Sequence, residues 1–312
     1  MARTVTLAAA QMGPIARSED RTSVVRRLIA LMQQSKAMGA DMVAYPEATL
    51  TAFFPHWFTE DEAQVDSWFE SAMPGPATQP LFDAARRLGI GFHLGYCELD
   101  FSTGRKRRFN TSILVDASGA IIGKYRKIHL PGHSDHRPQT PFQNLEKRYF
   151  EVGDLGVGTW PAYGGVAGMI ICNDRRWPES YRVLGLQGVE MVFCGYNTPV
   201  HHPAAPDHDR LGQFHNELCM QSGAYQNSAW VIGIAKAGLE EGVDMIAGSC
   251  IIAPNGEIVA RAASAGDEVI VARCDLDLGR SYRETTFNFA KHRRPEHYRM
   301  IVERTGRVDP DY

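Results

Sequence analysis

A chain of 312 residues, 44% hydrophobic and 22% charged, is composed like an ordinary soluble globular protein and can bury a large core. Its net charge of −3 carries no signature of nucleic-acid or membrane-surface binding, and no apolar stretch approaches the roughly 20 residues of a membrane span. Cys97, Cys172, Cys194, Cys219, Cys250 and Cys274 are scattered without CxxC pairs, which points to free thiols rather than a disulfide scaffold. The N-terminus reads as a strand and not as a signal peptide, so the expected location is the cytoplasm.

Residues 4–12 are the first strand candidate. Residues 19–38 place Val24, Val25, Leu28, Ile29 and Met32 on one helical face, and residues 41–45 form a second strand ending at Pro46-Glu47. Residues 77–88 read as helix and 90–99 as extended chain. The basic run at 105–108 reads as a solvated turn. Residues 112–124 and 249–261 resemble each other, each a strand, a tight turn with Gly and a second strand, which is a β-hairpin. A continuous apolar run at 166–171 predicts a buried strand, with a helix starting near Pro178. Residues 189–195 repeat the strand pattern and 207–223 predict a long helix. Residues 139–150 and 197–209 read as irregular loops that contain Pro and, in the second, His. This alternation predicts a layered α/β protein, one domain over 1–312. The hairpins imply mixed sheets, and the similar halves suggest two sheets packed with pseudo-symmetry.

Cys172 closes the buried strand at its carboxyl end, where open α/β sheets place their chemistry. The polar run Asn173-Asp174-Arg175-Arg176 follows it, and the apolar core has no need of those residues. A cysteine hydrolase requires a thiolate, a proton-transfer group and a way to hold an oxyanion. His129, His133, His201, His202 and His215 are candidate bases, but none lies in a motif that identifies it. Glu47 is a more pointed candidate, since its strand end should bring the carboxylate to the same sheet edge as Cys172. Lys127 follows the second strand of the first hairpin directly.

Three segments in this order, Tyr45-Pro46-Glu47, Gly123-Lys124-Tyr125-Arg126-Lys127-Ile128-His129-Leu130-Pro131 and Ile171-Cys172-Asn173-Asp174-Arg175-Arg176-Trp177, resemble the Glu-Lys-Cys signature of the nitrilase superfamily. Within it the chain is similar to the N-carbamoyl-D-amino-acid amidohydrolases. Phe53-Phe54-Pro55, Arg107-Arg108-Phe109-Asn110-Thr111-Ser112, Leu145-Glu146-Lys147-Arg148-Tyr149-Phe150 and Gly195-Tyr196-Asn197-Thr198-Pro199 carry that similarity over essentially the whole chain. It departs at Asn144, where the family has His, and at Ala48-Thr49, where Leu-Ala is usual; both bear on substrate range. The resemblance implies a four-layer αββα sandwich with two mixed sheets, a homodimer or homotetramer, and no cofactor or metal. It also implies a Glu47, Lys127 and Cys172 triad, with Glu146 orienting Lys127 or the substrate.

A ureido carbonyl is resonance-stabilised, so it demands both a strong nucleophile and oxyanion stabilisation. Glu47 would take the thiol proton, deliver it to departing ammonia and then activate water. Lys127, with a backbone N–H just after Cys172, would bind the oxyanion. Arg175 and Arg176 suit a carboxylate, because guanidinium groups grip it bidentately. Asn173, Asn197 and Thr198 would complete the substrate pocket. The expected reaction converts an N-carbamoyl-D-amino acid to the D-amino acid, ammonia and carbon dioxide through a thiol-bound intermediate. One alternative is another amide or ureido substrate of the same superfamily. A second is a metallohydrolase built on His201, His202, Asp207, His208, Asp209 and His215, which match no standard zinc spacing.

Overall fold

The computed structural model describes residues 3–307. One half of the chain contributes β1 (Thr4–Gln11), β2 (Met42–Ala44), β3 (Gly91–Asp100), β4 (Arg107–Val115) and β5 (Ile121–Arg126). The other contributes β6 (Thr159–Ala162), β7 (Gly165–Ile171), β8 (Met191–Tyr196), β9 (Trp230–Ala235), β10 (Ala237–Glu240) and β11 (Val243–Ile246). It continues with β12 (Cys250–Ile252), β13 (Ile258–Arg261) and β14 (Glu268–Asp275). Two six-stranded sheets result, ordered β14-β1-β2-β3-β4-β5 and β13-β12-β9-β8-β7-β6.

Both sheets are mixed. In the first, β1, β2 and β3 are parallel and β4-β5 is an antiparallel hairpin. In the second, β7, β8 and β9 are parallel and β12-β13 is the hairpin. The two hairpins noticed in the sequence therefore occupy equivalent places, and the pseudo-symmetry is real. Their turns use Gly119 and Gly256 at φ of 78° and 87°, a region that glycine enters at little cost.

Alternating side chains explain the layers. Val5, Leu7 and Ala9 of β1 and Met42 and Ala44 of β2 pack towards the second sheet. Their neighbours Ala8, Ala10, Val43 and Tyr45 pack under the helices Arg21–Ala37 and Gln79–Leu88. On the far side, Tyr181 and Leu184 of helix Pro178–Leu186 and Met220 and Ala224 of helix Gly212–Asn227 cover the second sheet. Helix, sheet, sheet and helix make the αββα order.

The structure corrects several sequence expectations. The helix expected at 207–223 begins as a 3₁₀ turn, Pro206–Leu211, and becomes α only from Gly212. Gly223 does not end it; a Cβ there would lie 2.6 Å from the ring of Tyr181, so the glycine permits close helix packing. The run at 105–108 is not simply a solvated turn. Arg107 and Arg108 open β4 with side chains 12% exposed and pair with Glu151, Asp154, Asp66 and Glu62. The loop at 139–150 contains a short helix, Glu146–Tyr149.

Candidate active site

The acidic end of the site is built by close backbone approach. A Cβ on Gly95 would lie 2.5 Å from the Pro46 carbonyl oxygen, and one on Gly195 would lie 2.6 Å from the Glu47 nitrogen. Gly95 is in β3 and Gly195 in β8, so the Pro46-Glu47 peptide is gripped between the two sheets. The chain then leaves through Ala48 at φ 44°, a strained conformation for a residue with a side chain.

Glu47 is fully buried and its carboxylate is surrounded by donors. Oε1 accepts from Lys127 Nζ and from Asn110 Nδ2, each at 2.7 Å, and Oε2 accepts from Asn197 N at 2.9 Å. Lys127 also donates to Glu146 Oε2 at 2.6 Å, which brings together the lysine and both carboxylates expected from the sequence. Burial opposes the charge on Lys127, yet Glu146 and Glu47 outweigh it and hold the ammonium far above its ordinary pKa. Burial raises Glu146 to about 7; Lys127 works against that shift, while Glu47 and Asp174 add to it. Asn110 went unrecognised in the sequence. Its position on an inward-facing strand beside Glu47 is the signal that could have found it.

Cys172 follows β7 at φ 47°, on the first residue of the 3₁₀ turn Cys172–Arg176. Such a turn lifts the thiol off the strand end, and neighbours brace the strained backbone. Arg175 Nη1 donates to the Cys172 carbonyl at 2.6 Å, and Asp174 Oδ2 accepts from Ile171 N at 2.9 Å. Asp174 is fully buried and also accepts from Tyr125 OH, from His129 N and from the His129 ring. It thereby ties the nucleophile turn to the strand end that carries Lys127. Asn173 adds a second tie, its side chain donating to the His129 carbonyl at 3.1 Å.

The Cys172 sulfur lies 3.9 Å from both the Asn197 carbonyl and Thr198 Oγ1. Burial first, and then the charge of Glu47, push its pKa up; Lys127 and Arg175 pull it down. Burial thus favours the protonated thiol, and the neighbouring lysine and arginine favour the thiolate. Among the described residues no histidine is hydrogen-bonded to the Cys172 sulfur, whose contacts are with residues 197 and 198. His129 bonds to Asp174, His133 to the Asp135 carbonyl and His201 to Asp209.

Arg175 is buried and stacks over Tyr196 at 4.5 Å, bonded to Asn216 Oδ1 and Thr198 Oγ1 at 2.8 and 2.9 Å. Arg176 is exposed, and among the described residues neither arginine has a carboxylate within ion-pair distance. The metallohydrolase alternative fails on geometry. Among the described residues no three His, Cys, Asp or Glu side chains, those of 201–215 included, converge as ligands.

The layered fold is shared with known proteins. Residues 6–284 match the carbon-nitrogen hydrolase family, and the chain belongs to it, within the nitrilase superfamily. It is thus a hydrolase of amide or ureido carbon–nitrogen bonds. N-carbamoylputrescine amidase of Arabidopsis thaliana is 27% identical over 93% of this chain and 94% of its own length. A nitrilase of Pyrococcus abyssi is 31% identical, over 94% of this chain and 99% of its own. The crystal structure of a carbon-nitrogen hydrolase from Helicobacter pylori has the same fold, with a TM-score of 0.81 at 21% identity, covering 96% of this chain and 99% of that one. Among the described residues, no helix is long and apolar enough to cross a membrane.

Proposed function

We propose that this hydrolase acts on N-carbamoyl amino acids, with preference for the D enantiomer. The observation that carries the reading is the pair Arg175 and Arg176, without carboxylate partners among the described residues, directly after a nucleophile flanked by Glu47 and Lys127. An N-carbamoyl amino acid offers the ureido carbon to Cys172 and a carboxylate to the arginines. The substrate in the name of the Arabidopsis relative is also a ureido compound, but its other end is an ammonium, which two arginines would repel.

In this reading the Cys172 thiol gives its proton to Glu47 as sulfur attacks the ureido carbon. Lys127 and the peptide N–H of Asn173 stabilise the oxyanion. Glu47 returns the proton to the leaving ammonia, and Cys172 is left as a thiol ester of the N-substituted carbamate. Water, deprotonated by Glu47, releases that carbamate, which breaks down to the amino acid and carbon dioxide. Glu146 holds Lys127 in line. Asn197 and Thr198, with oxygens 3.9 Å from the Cys172 sulfur, would contact the substrate, and a fixed anchor with a fixed nucleophile leaves the α-substituent one comfortable side.

The decisive assay follows ammonia release from paired D- and L-N-carbamoyl amino acids, N-carbamoylputrescine and simple amides. Selective turnover of the D series supports the reading. Equal enantiomer rates, or faster turnover of an uncharged amide, overturn it and favour a broader amidase. A homodimer or homotetramer belongs to the same proposal. Val183 and Leu186 on one outer helix and Phe214 and Leu218 on the adjacent one are exposed apolar side chains suited to a second copy. Light scattering of the purified chain tests it, and a monomer at micromolar concentration would remove that part.

A further inference from the structure

A second buried ion pair lies outside the catalytic cluster. Lys236, just past β9, and Glu240, at the end of β10, are both fully buried and meet at 2.7 Å. Neither contacts Glu47, Lys127 or Cys172. Instead, Lys236 Nζ donates to the Thr51 carbonyl at 2.8 Å, and Glu240 Oε1 accepts from Phe53 N at 2.7 Å. Glu240 Oε2 also accepts from Ile15 N at 3.0 Å. The pair thus grips residues 51–53, the segment that leaves Glu47.

That segment continues to the other catalytic carboxylate. Leu145 N donates to the Pro55 carbonyl and Gln143 N to the His56 carbonyl, each at 2.9 Å. Leu145 directly precedes Glu146, the carboxylate on Lys127. β11, which pairs antiparallel with β10, braces residues 198–200: Ile246 N donates to the Thr198 carbonyl and Val200 N to the Asp244 carbonyl, at 2.9 and 2.8 Å. His56, beside Lys236, is kept neutral by burial and by that lysine, its pKa lowered to about 3, so it adds no competing charge.

We propose that Lys236 and Glu240 are positioning residues for catalysis, their ion pair fixing residues 51–56 so that the turn bearing Glu146 docks on Lys127. A buried pair is costly to assemble and often replaceable by apolar groups where only stability is at stake. Its three backbone contacts give this one a task that such replacement would not perform. The inference rests on the hydrolytic role assigned to Lys127 and Glu146.

The test uses the full chain with Glu240→Gln and with Lys236→Met/Glu240→Leu, the latter having the better prospect of folding because both charges are removed together. In folded protein, kcat for the best ureido substrate falls on the order of ten- to a hundredfold, as a misplacement of about 1 Å far from the chemistry can cause, while KM stays near wild type. The pH dependence of Cys172 alkylation by iodoacetamide also moves from the wild-type profile. That second readout needs no substrate, so it decides the matter even if the ureido assignment fails. A folded double variant with wild-type kcat and a wild-type alkylation profile, changed only in Tm, overturns the proposal. If neither variant folds, Glu240→Asp carries the same comparison, since it keeps the charge and withdraws the carboxylate from Phe53 by one methylene.

Discussion

Asn197 holds Glu47 at both ends: its backbone N–H donates to the Glu47 carboxylate, and its side-chain amide donates to the Glu47 backbone carbonyl, each at 2.9 Å. The contact crosses from the end of β8 in one sheet to the end of β2 in the other. Glu47 and the residue whose carbonyl lies 3.9 Å from the Cys172 sulfur thus share one rigid unit. With Lys127 and Asn110 also donating, the carboxylate has fixed orientation and no freedom to swing away from its proton.

Glu47→Gln is therefore expected to lose activity for two reasons. It removes the base, worth roughly 10²–10⁴-fold, and it turns an NH₂ group towards donors that have only an oxygen to meet. Turnover should collapse with a moderate fall in Tm. Steady-state kinetics with circular dichroism check this; near wild-type kcat would remove Glu47 from the base role.

Cys172→Ala and Cys172→Ser should retain the fold and lose nearly all turnover. Of the thiols, Cys97 and Cys194 are pushed by burial well above the ordinary range, and Cys250 and Cys274 reach about 12. Iodoacetamide should label Cys172 ahead of these four, faster as pH rises, because the charges of Lys127 and Arg175 favour its thiolate against burial and Glu47. Peptide mass spectrometry after partial labelling reads the order. Early labelling of Cys194 with activity intact would contradict the assignment.

Glu146 gives the activity an acid limb. Its folded pKa is raised to about 7, so as pH falls through that value it takes up a proton and its ion pair with Lys127 is lost. Stability runs the opposite way: between its ordinary 4.5 and about 7 the folded state binds more protons, so this group's contribution declines as pH rises through that window. A profile of kcat/KM should drop below neutrality. A flat profile down to pH values near the ordinary carboxylate range would show that Glu146 does not titrate with function.

The two arginines should separate. Arg176→Leu removes an exposed cation with no ion partner among the described residues, and should weaken turnover of carboxylate-bearing substrates by roughly 10–150-fold, the equivalent of about 1.5–3 kcal/mol for a charge-assisted bond. Uncharged amides should be little affected. Arg175→Leu should reduce both classes, because Arg175 also braces the Cys172 carbonyl and Thr198. Parallel kcat/KM measurements on a charged and an uncharged substrate decide, and identical losses in the two variants would refute this division.

Much of this was legible in the sequence because the informative signals are local. An apolar run that stops at Cys172, a strand that stops before Glu47, and a hairpin that ends before Lys127 each declare a strand end. Partners distant in the chain are silent at that level. Glu240 meets Phe53 across 187 positions, and nothing near either residue announces it. Arg107 and Arg108 looked solvated for the same reason, since Glu62, Asp66, Glu151 and Asp154 lie far along the chain. Arg175 and Arg176 are adjacent and chemically identical in the sequence; only packing makes one buried and the other exposed.

The seating of the Pro46-Glu47 peptide between Gly95 and Gly195 bears on how activity appears during folding. Glu47 and Lys127 follow strands of one sheet and Cys172 a strand of the other, so on the proposed mechanism neither half of the chain holds a working set of groups. Secondary structure can return on refolding while hydrolysis is still absent, and the first turnover reports that the two sheets have closed on each other. A nascent chain in which only β1 to β5 have paired would present a carboxylate and a lysine but no thiol held against them, and so could not turn over substrate; the first sheet itself is complete only when β14, from the far end of the chain, joins it.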